Sequence, residues 1–145
     1  MTTLLNSPEQ EFPVLSYELH WLADEVIQGF ASVATRNNCS IINDISEDIC
    51  IDADRELVAS VLAGMVSAIM AHAKDSWIQL SAKAYGDVIL VHVRDHNTVN
   101  SYAVESGLYH LQSLTDKLGG FIGVSSQRKK LTTVAFSFPN LPLAA

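Results

Sequence analysis

The sequence predicts a single α+β domain, a two-layer sandwich of helices on a sheet. Three observations predict it. The segment from Asp52 to Lys74 carries a broad apolar helical face, and two later segments read as β-hairpins with two-residue alternation. Helices and strands also fall in separate blocks along the chain, the order expected of a layered α+β domain. The chain has 145 residues, of which 48% are hydrophobic and spread throughout, enough for one domain with a real core.

Residues 1–15 are polar, contain Pro8 and Pro13, and read as a flexible lead-in. From Ser16, a candidate N-cap, Leu19, Leu22, Val26, Ile27, Phe30 and Val33 recur at helical spacing, and Asn37-Asn38 ends the helix. Cys39–Ile45 and Ile49–Ile51 read as a pair of short strands with a turn at Ser46-Glu47-Asp48. Asp52 or Asp54 caps the next helix. In it Leu57, Val58, Val61, Leu62, Met65, Val66, Ile69 and Met70 repeat as adjacent pairs, the mark of a central buried helix. Trp77–Ala84 and Val88–Arg94 form a hairpin around Tyr85-Gly86-Asp87, and Gly120–Ser126 with Leu131–Phe138 forms another. Between them Val104, Leu108, Leu111, Thr115 and Leu118 keep a helical spacing that allows the last helix to start near Ser101. Gly119-Gly120 serves as its C-cap. Pro139 closes the domain, taken as 16–139, and 140–145 read as a tail.

Composition excludes several function classes. No apolar run approaches the roughly 18–20 residues that span a bilayer, and the N-terminus lacks the basic and apolar regions of a signal peptide. A cytoplasmic location is therefore expected, without membrane insertion. The net charge of −7 argues against non-specific nucleic-acid binding. The basic cluster Arg128-Lys129-Lys130 reads as a solvated hairpin turn. Cys39 and Cys50 have no metal-ligand spacing and read as buried free thiols. His20, His72, His92, His96 and His110 are scattered, and no P-loop or GxSxG occurs.

The stretch VILVHVRDHNTVNSYAVESGLYHLQSLTDKLGG, residues 88–120, joins an apolar strand ending in Asp to a loop, Gly-Leu, an amphipathic helix and a double glycine. It resembles the C-terminal half of the ATP-binding domain of sensor histidine kinases, in the GHKL superfamily shared with gyrase and mismatch-repair ATPases. The resemblance covers about Leu19 to Pro139 and lies more in the order of elements than in any motif. It implies a Bergerat-type architecture, a mixed, mainly antiparallel sheet with about three helices on one face. SYELHWL is similar to the family's phosphoacceptor box, but Tyr17 stands where the phosphorylated His would be. No phosphoacceptor is assigned.

The resemblance also implies a nucleotide site made from Gly64, Ala68, His72, Asp95, Asn97, Gly107 and Leu108. Asp95 matches the Asp that hydrogen-bonds adenine in the family. The family's two Asn residues on the central helix, one of which holds Mg²⁺, correspond to Gly64 and Ala68. Neither offers the oxygen ligand that Mg²⁺ requires. Where the family has Asp-x-Gly-x-Gly, this chain has DHNTV, so both glycines are replaced, by Asn97 and Val99. Asn97 can adopt left-handed geometry and Val99 is stiff. The long glycine-containing lid of the family is absent, because twelve positions separate Asp95 from Gly107.

These departures point to a degenerate, non-catalytic ATPase-like domain with no catalytic residue, no metal and no required cofactor. It would bind a signalling protein or itself in bacterial two-component-type signalling. The alternative is a nucleotide-binding histidine kinase or anti-sigma-type kinase that recognises the adenine of ATP or ADP through Asp95. An exposed face on the first helix, made of Leu19, Trp21 and Leu22, would mark a dimer or partner surface.

Overall fold

The structure, a computed structural model, describes residues 16–97, 101–127 and 131–142. Its elements in chain order are β1 (Tyr17–Glu18), α1 (Leu19–Gln28), α2 (Ala31–Arg36), β2 (Ser40–Asn43), β3 (Cys50–Ile51) and α3 (Arg55–Met70). There follow β4 (Trp77–Tyr85), β5 (Val88–Asp95), α4 (Ser101–Ser106), a 3₁₀ turn (Tyr109–Leu111), α5 (Gln112–Lys117), β6 (Phe121–Gln127) and β7 (Leu131–Pro139). The expected α+β sandwich is what forms.

Five strands make the main sheet in the order β2-β4-β5-β7-β6. Only β2 and β4 run parallel; the other three pairs are antiparallel. Alternation decides which face is covered. In β5 Ile89, Val91, Val93 and Asp95 are buried, and in β7 Thr132, Val134, Phe136 and Phe138 are buried, while their neighbours stay partly exposed. The buried set lies under the helices, because a strand turns alternate residues to opposite faces. Each fully buried large side chain of this set, Phe138 for instance, contributes about 1.5–3 kcal/mol.

Helix α3 runs through the centre of the helical layer. Asp54 is its N-cap, its side chain accepting from the Leu57 N–H at 3.0 Å. Nine of its residues are buried, which agrees with the paired apolar pattern. The turn between β4 and β5 narrows to Gly86-Asp87, since Tyr85 pairs with Val88 and Gly86 has φ +61°. The last helix ends in a Schellman motif. Gly120 N–H bonds Thr115 O at 2.8 Å, Gly119 N–H bonds Asp116 O at 3.0 Å, and Gly119 has φ +70°.

Several expectations need correction. The first helix is not continuous and is not capped by Ser16. Residues 17 and 18 are strand, Glu18 is the N-cap, and Ser16 Oγ donates to Asp52 Oδ1 instead. The helix breaks at Gly29-Phe30, where glycine's low helical propensity coincides with side chains that reach only partial burial. Asn38, with φ +55°, does end the region as expected. The two short strands after it do not pair with each other: β2 joins β4, and β3 pairs with β1 in a separate ribbon. Cys50 is exposed and Cys39 half-buried, so neither is a buried thiol, although both are free. Leu19 and Leu22 are buried, which leaves Trp21 alone as the exposed residue of that face, at 63%.

Beyond Pro139, Asn140 is tied down. Its N–H bonds Asp87 O at 2.6 Å, its Nδ2 donates to Cys50 O at 3.0 Å, and its Oδ1 accepts from Asp52 N–H at 2.7 Å. The lead-in 1–15, the remainder of the tail 143–145, Val99 and the Arg128-Lys129-Lys130 turn lie outside the described residues. No helix among the described residues is long and apolar enough to cross a membrane.

Candidate functional site

The residues assigned to the nucleotide site come from three elements. Gly64 and Ala68 lie one turn apart on α3 and are buried. Asp95 ends β5, on the side of the sheet that faces α3, and is fully buried. Gly107 and Leu108 follow α4, with Leu108 5% exposed. The topology therefore brings Gly64, Ala68, Gly107 and Leu108 together in the helical layer. His72 is not part of this group: it lies past the end of α3, is exposed, and gives its backbone N–H to Ile69 O at 3.0 Å.

The space above the small residues of α3 is filled by the chain itself. A Cβ placed on Gly64 would overlap Leu111 Cδ2 and lie 2.8 Å from Cδ1 and 3.0 Å from Cγ. Leu111 is 2% exposed and close-packed in the core, so it must turn or shift to admit such a group. One turn along, a Cβ on Gly107 would lie 3.3 Å from Ala68 Cβ. Small residues on α3 let the segment from α4 to α5 lie close against it, with Val104, Leu108, Leu111, Thr115 and Leu118 all buried. The helical start at Ser101 agrees with the sequence reading, although a turn at Gly107-Leu108 and the 3₁₀ segment interrupt the helix.

The backbone donors of Gly107 and Leu108 are occupied. Gly107 N–H bonds Ala103 O and Val104 O at 3.2 and 3.0 Å, and Leu108 N–H bonds Glu105 O at 3.1 Å. A phosphate would need such N–H groups at an open helix N-terminus or glycine loop. Nor do Gly64 and Ala68 fit a magnesium ion, because they present no oxygen and Leu111 occupies the space between the elements. Among the described residues no group of three or more His, Cys, Asp or Glu could hold a metal.

Asp95 holds its own loop. Its Oδ1 accepts from Ser76 Oγ and, at 3.1 Å, from Asn97 N–H. Asn97 reaches back through Nδ2 to Asp75 O at 3.3 Å, and Asn38 Nδ2 donates to Asp75 Oδ1 at 2.9 Å. The described non-glycine residues with positive φ are Asn38 and Asp75, so Asn97 does not use left-handed geometry. Beside this loop the rings of Trp77 and His96 stack, with centroids 3.6 Å apart and planes 2° from parallel. Burial, then the Arg94 charge, lowers the His96 pKa below the usual histidine value, against the opposing pull of Asp95. Sequence reasoning did not find this stack, since two aromatic residues 19 positions apart are joined only by the β4–β5 register.

At the start of the domain Tyr17, which stands at the phosphoacceptor-like position, pairs with Ile51 and donates its hydroxyl to Ala53 O at 3.1 Å. Burial, reinforced by Asp54, raises its pKa far above the usual tyrosine value.

The sequence matches no protein-family model and no curated protein. Solved structures do match. The catalytic domain of histidine kinase ThkA superposes with a TM-score of 0.74 at 19% identity, over 91% of this chain and 97% of that one. This chain has the fold of a histidine kinase ATPase domain. Histidine kinase AdeS of Acinetobacter baumannii matches over 90% of this chain and 69% of that one, with a TM-score of 0.75 at 12% identity. Full-length ShkA, solved in complex with AMPPNP, matches over 96% of this chain but 34% of that one, with a TM-score of 0.76 at 18% identity. The likeness to the histidine kinase domain is thus one of fold, at identities that leave the site to be argued from its own residues.

Proposed function

We propose that this is a degenerate histidine kinase-like ATPase domain that acts as a non-catalytic binding module in two-component-type signalling, in the cytoplasm. The observation that carries the proposal is Leu111 lying where any side chain on Gly64 would project. In the histidine kinase resemblance that position belongs to an Asn of the nucleotide pocket. On this reading an apolar side chain and a closely packed helical segment stand where the resemblance would put the nucleotide, and Gly64 and Ala68 supply no oxygen for Mg²⁺. Asp95, which on the resemblance would read adenine, has its Oδ1 engaged by Ser76 and Asn97. Gly64, Ala68, Gly107 and Leu108 on this reading are packing residues, and Asp95 and Asn97 organise a loop. The ligand is then a signalling protein or a second copy of the chain. ThkA offers an example of the class of partner, being solved in complex with the response regulator TrrA.

Calorimetric titration with ATP and ADP, each with and without Mg²⁺, tests the proposal. The expected result is no heat at millimolar nucleotide. Micromolar binding would overturn it and support the kinase alternative, with loss of that binding in Asp95→Ala assigning adenine recognition to Asp95.

A further inference from the structure

The helices cover one face of the main sheet, and the other face carries an unusual set of side chains. Strand alternation and register place Gln79, Ser81, Lys83, Tyr85, Leu90, His92 and Arg94 there, across β4 and β5. Five of the nine exposed large hydrophobic residues share this face: Ile42, Trp77, Tyr85, Val88 and Phe121. Tyr85 pairs with Val88, and Val88 and Phe121 line one shallow cavity at the same end of the sheet; contiguous exposed apolar groups of this kind mark an interaction surface.

Charge on this face is one-sided. The chain has 16 acidic and 9 basic residues, yet among the described residues no strand position on the open face is a carboxylate. Asp44, at the end of β2, meets its margin by accepting from Gln79 Nε2 at 2.7 Å. The basic groups within the face are Lys83, His92 and Arg94, grouped around a cavity of about 210 Å³ lined also by Ser81, Tyr85 and Leu90. Arg94 is held in place by neutral partners: it donates through Nη1 to Ser81 Oγ at 3.0 Å and through Nη2 to His92 Nδ1 at 2.9 Å. Because a guanidinium only donates, His92 accepts there through a bare Nδ1 and carries its proton on Nε2. Burial first, then the Arg94 charge, disfavours the protonated imidazole. Neither Lys83 nor Arg94 forms an ion pair among the described residues, whose ion pairs are His20–Asp24 and Arg55–Glu25.

We infer that the open face of the sheet docks an acidic polypeptide segment, one of whose carboxylates enters the cavity between Arg94 and Lys83 while flanking apolar side chains cover Leu90 and Tyr85. Charge complementarity selects this occupant. Two copies packed through this face would oppose Lys83 and Arg94 to their own equivalents, which disfavours a symmetric sheet-on-sheet dimer. A carboxylate instead meets a pre-positioned planar fork with about three of its five donors still unused. The surface lies across the sheet from the Gly64–Leu111 contact. The inference deepens the binding-module reading by naming a partner chemistry, and it does not require that the nucleotide pocket be closed.

The test is an NMR titration of the ¹⁵N-labelled full chain with a synthetic peptide of alternating Glu and Leu. Controls are the same peptide with Gln for Glu, sodium acetate, and a single-stranded DNA oligomer. The expected result is saturable shifts at Ser81, Lys83, Leu90, His92 and Arg94, at least tenfold weaker with the Gln peptide. Arg94→Gln and Lys83→Gln, the latter at an exposed position, should each weaken binding of the Glu peptide, while Arg94→Lys retains part of it. Shifts confined to the helical face, equal binding of the two peptides, or no shifts would each overturn the inference. So would acetate saturating the same residues as tightly as the peptide, or DNA binding more tightly than either. The calorimetry with ATP reads the pocket separately, so failure of one reading is distinguishable from failure of the other.

Discussion

The filling of the Gly64 position by Leu111 can be tested by a double-mutant cycle. Adding one methyl at Gly64 forces overlap with a buried leucine, since Cδ1 and Cγ of Leu111 lie 2.8 and 3.0 Å from the new Cβ. Overpacking of this kind costs about 1–3 kcal/mol. Replacing Gly by Ala inside a helix returns about 1 kcal/mol. Gly64→Ala should therefore destabilise the domain by about 0–2 kcal/mol. Leu111→Ala alone should cost about 2–5 kcal/mol, as a buried leucine truncated to a cavity does. In the Leu111→Ala background the clash is gone, and Gly64→Ala should become stabilising by about 1 kcal/mol. The sign reversal is the decisive feature. It corresponds to a coupling of about 1–3 kcal/mol, well above the roughly 0.3–0.5 kcal/mol expected for independent sites.

Urea denaturation of the four proteins measures the cycle, with unchanged m-values showing that the transition compares like with like. If Leu111→Ala proves too unstable to study, Leu111→Val gives the same comparison with a smaller amplitude. Additive effects, with Gly64→Ala equally costly in both backgrounds, would refute the packing argument. The room above Gly64 would then be open to other groups, nucleotide included.

Other predictions follow from single features. Asp95→Ala should cost about 1–3 kcal/mol in urea denaturation, because the Ser76 hydroxyl and Asn97 N–H lose their acceptor; an unchanged midpoint would mean that these contacts do no structural work. Gly119→Ala should cost about 1–2 kcal/mol for its left-handed backbone. Gly120→Ala should cost more, since the new methyl would sit 2.5 Å from the main-chain Ser137 O, and equal melting temperatures for the two would contradict this ranking. His92 and His96 should titrate below the ordinary histidine value by imidazole NMR, and Arg94→Gln should move His92 upward. Since the folded state disfavours both protonated forms, their contribution to stability is complete above the unfolded histidine pKa near 6.5 and is lost as pH falls below it. Midpoints at or above 6.5 would reverse that sign.

The fold was legible where burial imposes a period and less so where it does not. Helix α3 and the strands β5 and β7 bury one face each, so their hydrophobic spacing names both the element and its inward side. Pairing partners carry no such trace. Ser40–Asn43 reads as a strand from its own residues, but nothing in SIIN says that it runs parallel to β4 and not beside Cys50–Ile51. The break at Gly29 was hidden because Val26, Ile27, Phe30 and Val33 keep helical spacing through it while only partly buried against the core. The small, apolar character of Gly64 and Ala68 was readable from the sequence, and what packs against them was not. That contact is made by Leu111, a residue that the stripe of apolar spacing offered as ordinary core. His92 and Arg94 were likewise visible only as alternating strand residues, and the contact that joins them to Ser81 depends on register.

Gly64, Ala68 and Leu111 are better understood as one packing arrangement than as separate substitutions. An Asn at position 64 cannot coexist with Leu111 where it stands, because even a methyl overlaps it. At position 68 the packing is also close, since a Cβ added to Gly107 would lie 3.3 Å from Ala68 Cβ. Moving Leu111 aside would disturb the buried stripe of Val104, Leu108, Leu111, Thr115 and Leu118, which is anchored at its end by the Gly119-Gly120 cap. On the proposed reading, then, no single substitution should create a magnesium site. The double variant Gly64→Asn/Ala68→Asn should lose stability without gaining Mg²⁺-dependent ATP binding, and only a variant that also truncates Leu111 has room for it. Calorimetric ATP binding by the double variant with Leu111 intact would show that the helical segment yields more easily than its burial implies, and that the closed pocket is a resting state of a nucleotide-binding domain.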